Sequence, residues 1–142
     1  MANSSRGRGL IDTSVVIGLE RIDPQTLPRE LAIATITLAE LAAGPHATDD
    51  PRERARRQQR LQLAEATFDP LPFDTGCARA YGLVYAEMIR AGRKARGRRA
   101  LDLLIAATAL SSRIPLYSAN IDDFAGLEQV IELKAVAERA SA

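Results

Sequence analysis

Short apolar segments alternate with helix-forming segments along this chain, and this alternation constrains the fold more than any other feature. The segments predicted as strands are 10–11, 30–36, 114–120 and 129–133. The segments predicted as helices are 13–21, 37–43, 51–66, 74–91 and 100–110. Strands that alternate with helices predict an α/β sandwich with a small, mainly parallel sheet. In such sheets ligands bind at the carboxyl ends of the strands, so functional residues are expected there.

The chain is long enough for one domain with a substantial core, because 142 residues is close to the commonest domain size. The basic start "MANSSRGRG" predicts a flexible tail over residues 1–8, followed by a single domain over 9–142. The longest uncharged apolar run, 103–110, is far short of the roughly 18 residues that a membrane span needs, so no membrane association is expected. Cys77 is alone, which excludes an internal disulfide and fits a cytoplasmic location.

All but two of the 19 basic residues are arginine, and the arginines cluster. "PRERARRQQR" (51–60) contains five of them, and "RAGRKARGRR" (90–99) contains six basic residues. Arginine pairs with phosphate through two nitrogens, so both clusters suit a nucleic-acid backbone, although the first could equally be a solvated helix face. Two glycines in the second cluster predict a flexible loop that contacts phosphate, with Arg98 and Arg99 as candidate binding residues.

The stretch "GLIDTSVVIG" (9–18) places one carboxylate, Asp12, where the first strand is predicted to end. Chemistry is usual at this position in parallel sheets. The alternative is structural, because an aspartate before a helix also serves as its N-cap. Taken alone, the stretch does not decide between these two interpretations.

Glu40 and Asp102 are two further acids in apolar surroundings. Thr37 and Glu40 have the spacing of a capping box, in which the glutamate accepts from the N–H of the cap residue. Asp102 is the only charge between Ala100 and Leu110 and could simply complement the positive end of a helix. Each acid therefore has a structural alternative as well as a functional one.

The three acids together favour a functional interpretation, because each lies near a predicted helix start and parallel strands bring such starts to one edge of the sheet. Carboxylates about 5 Å apart repel by roughly 3 kcal/mol per pair at an effective dielectric of 20. That is a large burden for a domain with a net stability of only about 5–15 kcal/mol. Protonation or a divalent cation must relieve the repulsion, and oxygen-only ligands suit Mg²⁺ or Mn²⁺.

A fourth polar segment, "LYSANIDDFAGL" (116–127), follows a predicted buried strand. Ser118 ends the strand, and Asn120, Asp122 and Asp123 come after it. These residues are expected at the same edge of the sheet as Asp12. Ordinary turn chemistry is the alternative, since Asn and Asp favour such corners.

Four segments in this order and spacing resemble a PIN domain, and most closely the VapC toxins of type II toxin–antitoxin modules: "LIDTSVVIGL", "ITLAELAAG", "RALDLLIAATAL" and "LYSANIDDFAGL". The resemblance covers roughly residues 9–133. It implies a PIN-like α/β/α sandwich and a metal-dependent ribonuclease. It places the family's first acid on Asp12, its hydroxyl pair on Thr13 and Ser14, its helix glutamate on Glu40 and its third acid on Asp102.

The fourth segment departs from the family pattern at two positions. Ser118 stands where the family usually has threonine, which keeps the hydroxyl. Asn120 stands where many PIN domains have a fourth aspartate, and Asp123 is the nearest ionised substitute. Which of Asn120 and Asp123 would reach the metal stays open, as does the presence of a second metal.

The resemblance implies hydrolysis of an RNA phosphodiester by metal-activated water. Asp12 and Asp102 would hold Mg²⁺, with Mn²⁺ as a substitute, and Glu40 would ligate it or deprotonate the attacking water. The resemblance also implies a cognate VapB-like antitoxin and a homodimer. The alternative is a catalytically silent PIN-like module that binds RNA or a protein without cutting.

Three other kinds of site fit the residues poorly. His46 is the only histidine, which argues against a ribonuclease with paired histidines. One histidine and one cysteine in the whole chain are also too few for a zinc site. A phosphoacceptor receiver domain needs adjacent acids after its first strand, but Thr13 follows Asp12. His46 is expected on the surface and Cys77 in the packed interior.

Overall fold

A four-stranded parallel sheet forms the centre of the computed structural model, which describes residues 7–140 apart from the side chain of Arg98. The strands are β1 (Arg8–Ile11), β2 (Glu30–Ala32), β3 (Leu116–Ser118) and β4 (Leu133–Ala135), in the order β2-β1-β3-β4. Every neighbouring pair is parallel, which confirms the predicted sheet type. The carboxyl ends of β1 and β3 are adjacent, with Ile11 beside Tyr117.

Five α-helices cover the two faces of the sheet. They are α1 (Thr13–Ile17), α2 (Thr35–Ala43), α3 (Pro51–Thr67), α4 (Thr75–Arg90) and α5 (Arg98–Ser112). Successive strand residues point to opposite faces: Leu10 packs in a core with residues of α4 and α5, and Ile11 packs in a second core with residues of α1, α2 and α3. The structure is therefore the α/β/α sandwich that the sequence predicted.

Aspartate caps begin three of the helices at the predicted places. The carboxylates of Asp12, Asp50 and Asp74 accept from backbone N–H groups in the first turns of α1, α3 and α4. Helix α5 is buried as expected, and it begins at Arg98, two residues before the predicted start. Gly97, with φ at 60°, turns the chain into this helix without a side-chain cap.

The second predicted strand, 30–36, is correct for its first half only. β2 ends at Ala32, and α2 begins at Thr35. Between them Ile33 and Ala34 stay extended, and they bond to Leu71 instead of β1: the Leu71 N–H donates to the Ile33 carbonyl at 2.8 Å. The apolar run was therefore read correctly as extended chain, but its end is already the first turn of a helix.

The last predicted strand, 129–133, is wrong for most of its length. Residues 129–132 belong to no strand, with a turn at 129–130 and a bend at 131, and β4 runs from Leu133 to Ala135. Ile131 is buried because it packs in the core from this bend. Burial alone therefore produced the apolar pattern that resembled a strand.

The arginine-rich segment 90–99 is divided between three elements. Arg90 ends α4, residues 91–97 form the predicted loop, and Arg98 and Arg99 begin α5. Most of the predicted tail, residues 1–6, lies outside the described residues, and Arg8 already belongs to β1. Across residues 7–140, no helix has both the length and the apolar character to span a membrane.

Candidate active site

Asp12 lies at the carboxyl end of β1, where the sequence predicted a functional acid. Its backbone N–H donates to the Tyr117 carbonyl of β3 at 3.0 Å, and the residue is only 4% exposed. Its carboxylate accepts from the Val15 N–H at 3.1 Å, which makes it the N-cap of α1. The structural interpretation is thus confirmed, and it leaves the functional one open because a capping carboxylate still has acceptor capacity.

Hydroxyl groups surround the Asp12 carboxylate. The Ser14 hydroxyl donates to it at 2.6 Å, and the Ser118 hydroxyl is a further partner. Burial raises the pKa of Asp12, and the hydrogen bonds from Ser118, Ser14 and the Val15 N–H only partly oppose this rise. No ion pair between described residues involves Asp12. The site therefore holds a carboxylate whose negative charge is costly and would be stabilised by a cation.

Ser14, in the first turn of α1, also bonds to the chain after β3, and Ser118 bonds within that part of the chain. The Ala119 N–H donates to the Ser14 hydroxyl at 3.1 Å, and the Asn120 N–H donates to the Ser118 hydroxyl at 2.9 Å. The bond from Ala119 holds the chain after β3 beside the residues that follow β1, as predicted. The Asn120 side chain is exposed, and Asp123 lies partly buried in a 3-10 turn over Ile121–Phe124.

Glu40 joins the site through Thr13, across the gap between α2 and α1. The Thr13 hydroxyl donates to Oε1 of Glu40 at 2.6 Å. The capping-box alternative for Glu40 is wrong, because the N-cap of α2 is Ala34 and Thr37 lies inside the helix. Thr37 is fully buried, and its hydroxyl oxygen lies 3.1 Å from that of Thr13. Sequence reasoning noticed Thr37 only as a cap and so missed this contact.

Asp102 lies partly buried in α5. Its neighbour Leu101 and the α2 residues Ala39, Glu40 and Ala43 line one shallow cavity of about 300 Å³. Asp102 also interacts with another group of the protein. Among residues 7–140, no three Asp, Glu, His or Cys side chains stand close enough together to hold a metal ion. The three predicted metal ligands thus remain a prediction.

The arginines are divided between structural and exposed roles. Arg54 and Arg57 of α3 donate to the backbone carbonyls of Pro45 and Gly44 at 3.1 and 2.9 Å. Arg93 donates to the Ala125 carbonyl at 3.1 Å. Arg99 is partly exposed in the first turn of α5, and the Arg98 side chain lies outside the described residues. Part of each cluster therefore fastens loops, a role that sequence composition did not indicate.

The site offers oxygen donors and no soft ligands. His46 lies on the surface, as predicted, and Cys77 is buried. Carboxylates and hydroxyls at the end of a strand suit a hard divalent cation such as Mg²⁺, which keeps bound waters and contacts phosphate. The residues present fit such an ion chemically, and a bound cation would stabilise the buried negative charge of Asp12.

The sequence matches one known protein family over most of its length. Residues 9–128 match the PIN domain family. Ribonuclease VapC5 of Mycobacterium tuberculosis is 35% identical over 123 residues, which cover 84% of this chain and 87% of the relative. Ribonuclease VapC of Rickettsia bellii is 34% identical over 120 residues, which cover 81% of this chain and 87% of the relative.

Solved structures resemble the whole sandwich. The crystal structure of VapBC-5 from Mycobacterium tuberculosis, a member of the VapBC family of toxin–antitoxin systems, matches with a TM-score of 0.78 and 33% identity. The match covers 91% of this chain and 97% of that one. VapBC2 from Rickettsia felis, bound to a DNA fragment from its promoter, matches with a TM-score of 0.68 and 21% identity over 92% of this chain and 99% of that one, which shows a shared fold.

Proposed function

The chain belongs to the PIN domain family, and we propose that it is an endoribonuclease that acts as the toxin of a VapBC-type toxin–antitoxin pair. The observation that carries the proposal is the network at the end of β1, where Asp12, Ser14 and Ser118 meet and Thr13 connects to Glu40. The 35% identity to a ribonuclease VapC over most of both chains supports the same activity.

A divalent cation is part of this proposal, since PIN-domain ribonucleases in general depend on one. We propose Mg²⁺, with Mn²⁺ able to replace it, held by Asp12, Asp102 and Glu40. Asn120 or Asp123 would add a ligand, directly or through water. When bound, the cation supplies a water of lowered pKa and a positive charge beside the scissile phosphate.

The protein's own groups orient the acidic side chains, position the attacking water, accept its proton and bind the RNA. Ser14 and Ser118 hold the Asp12 carboxylate in one orientation at the sheet edge. Glu40 orients the attacking water or accepts its proton, and the Thr13 hydroxyl fixes one oxygen of that carboxylate. Arg98 and Arg99, at the start of the helix that carries Asp102, bind flanking phosphates of the RNA.

The partners proposed are a VapB-like antitoxin and a second copy of this chain. Relatives in solved structures are VapBC assemblies, among them one that matches this chain at 33% identity. Exposed apolar side chains on α4, Leu83, Tyr85 and Ile89, give a protein partner a surface to cover. We place the toxin in the cytoplasm, where its RNA substrate is.

The test is RNA cleavage by the purified protein, with cleavage sites in cellular RNA mapped by sequencing of the new ends. We expect cutting in Mg²⁺ and none after chelation with EDTA. Asp12→Asn should abolish both cleavage and growth arrest, because asparagine keeps the cap but removes the charge that would hold the cation.

Asp74→Asn is the matched control, because Asp74 caps α4 just as Asp12 caps α1. It should cleave like the wild type. Cleavage that survives in Asp12→Asn, or that persists in EDTA, would contradict the metal-dependent site. A wild-type protein that binds RNA and an antitoxin but cuts nothing would instead support the silent module.

A further inference from the structure

Thr37 is a buried polar residue that the proposed chemistry does not use. It lies on α2, one turn before Glu40, and none of its surface is exposed. Thr108 is the other fully buried threonine among the described residues, and its hydroxyl donates to the Leu104 carbonyl of its own helix at 2.9 Å. The Thr37 hydroxyl differs because it reaches a different element, at Thr13.

Proton counting fixes the direction of these bonds. A threonine hydroxyl has one proton, and an ionised carboxylate can only accept. The 2.6 Å separation between Thr13 and Oε1 of Glu40 lies in the range of a charge-assisted O–H···O⁻ bond, so the Thr13 proton lies on this line. The Thr13 oxygen is then an acceptor at its 3.1 Å contact with Thr37, which must donate.

We propose that Thr37 is a positioning residue that orients Glu40 through Thr13. With its oxygen held by Thr37, the Thr13 hydroxyl cannot turn its proton away from Glu40. Oε1 of Glu40 is then occupied, and Oε2 accepts no hydrogen bond from the described residues. Oε2 is thereby the oxygen left for the cation or its water, an assignment that rests on the proposed ribonuclease function.

The arrangement requires a hydroxyl at this position and not merely a side chain of this size. Valine has nearly the same shape as threonine and fills the same space, but it cannot donate to Thr13. Serine keeps the donor and loses only a methyl group. A hydrogen bond of this kind contributes about fivefold to an equilibrium, so losing it should have an effect of that order.

The experiment compares Thr37→Val, Thr37→Ser and Thr108→Val with the wild type. Cleavage is measured on a fluorescein-labelled single-stranded RNA of mixed sequence, and cation binding is measured with MnCl₂ alone. Thr37→Val should lower kcat and the affinity for Mn²⁺ about fivefold with little change in KM. Thr37→Ser should restore both, and Thr108→Val should leave both unchanged.

A double-mutant cycle tests the relay without any RNA or metal. The unfolding equilibrium is measured for Thr13→Val, Thr37→Val and the double variant in EDTA. We expect the effects to be coupled by about threefold to fivefold, because both substitutions remove the same bond. Thr13→Val and Thr108→Val should show no coupling.

Each outcome is decisive for one of the two proposals. Additive effects of Thr13→Val and Thr37→Val overturn the relay, whatever the nuclease assay gives. Wild-type kcat and Mn²⁺ affinity in Thr37→Val, or a Thr37→Ser variant no better than Thr37→Val, also overturn it. Coupled effects in a wild-type protein that does not cleave RNA would uphold the relay and refute the ribonuclease function.

Discussion

Asp12 combines at one residue a structural role and a charge that the fold disfavours. Its carboxylate caps α1 and accepts from Ser14, and these bonds stabilise the ionised form. Burial has the larger and opposite effect and raises the pKa of the carboxyl group. In the absence of a cation, the protein therefore sacrifices some stability to keep this charge at the sheet edge.

The pKa shift predicts how Asp12→Asn changes stability with pH. The folded pKa lies above the ordinary value of about 3.9, so the folded protein binds the proton more tightly than the unfolded chain in the window between these values. The stability that Asp12 contributes is present below this window and is lost as the pH rises through it. Urea denaturation in EDTA should therefore show Asp12→Asn gaining stability relative to the wild type as the pH rises above about 4.

Asp74→Asn should show the opposite trend. Hydrogen bonds from the Cys77 N–H lower the pKa of Asp74, so the stability it contributes is present at neutral pH and is lost as the pH falls. Asp74→Asn should accordingly lose stability relative to the wild type as the pH rises to neutrality. Parallel trends in the two variants would contradict the assigned cause, the burial of Asp12.

Glu40 is the residue at which structure and chemistry are most easily separated. In Glu40→Gln the amide oxygen can still accept from Thr13, so the fold and the thermal midpoint should change little. Loss of a general base typically costs about 10²- to 10⁴-fold, and kcat for RNA cleavage should fall within that range. Glu65→Gln, an exposed change on α3, is the control and should cleave normally.

The arginines of α3 hold the end of α2 in place. Arg57 donates to the Gly44 carbonyl and pairs with Glu53 at 2.9 Å, and Arg54 donates to the carbonyls of Pro45 and Thr48. These carbonyls belong to the 3-10 turn Gly44–Ala47 that follows α2 and to Thr48, which caps that turn. The helix that carries Glu40 is therefore fastened at its end by its neighbour.

Arg57→Ala should loosen this end of α2. The charged hydrogen bond to Gly44 is partly exposed, so its loss should lower the free energy of unfolding by about 1–2 kcal/mol. Hydrogen exchange should rise locally in residues 40–47, as measured by mass spectrometry. Arg52→Ala, an exposed change on the same helix, should alter neither quantity. If Arg52→Ala destabilised the protein as much as Arg57→Ala, the cause would be the lost positive charge and not the hydrogen bond to Gly44.

Local sequence signals predicted the elements well where one signal acted alone. Asp50-Pro51 and Asp74-Thr75 each specify a helix start, and both helices begin there. The prediction failed where two signals competed: the apolar run after Glu30 continued into α2, and the Thr37–Glu40 spacing resembled a cap inside that helix. Tertiary contacts with Leu71 and Thr13 decided these positions, and such contacts have no local signature.

The parallel topology of the sheet brings together site residues from distant parts of the chain. Asp12 and Ser118 are more than a hundred positions apart, but β1 and β3 are neighbours in the sheet and end together. The sequence predicted this shared edge because alternating strands and helices indicate a parallel sheet. The role of Arg93 was not predictable, because its bonds to the carbonyls of Asp122 and Ala125 depend on how the loop after α4 folds back.

The outer face of α4 is where we expect the proposed homodimer to form. Gly82, Leu83, Tyr85, Ala86 and Ile89 lie on the side of the helix opposite its buried residues, and all are exposed. Leu83, Tyr85 and Ile89 are 60%, 45% and 54% exposed. Exposing this much apolar side-chain surface on one helix face to water is unfavourable for a monomer. Gly82 and Ala86, one turn apart, would let a second helix approach closely.

Gly82→Arg should separate assembly from folding. A side chain at Gly82 meets nothing within 4 Å, and replacing a glycine inside a helix by arginine improves helix propensity by nearly 1 kcal/mol, so the variant should fold at least as well as the wild type. The added charge would have to be buried in the dimer, so sedimentation velocity should show dimers for the wild type and monomers for Gly82→Arg. Ala55→Arg adds the same charge to an exposed position of α3 and should stay dimeric, whereas a dimeric Gly82→Arg would exclude this face of α4 from the interface.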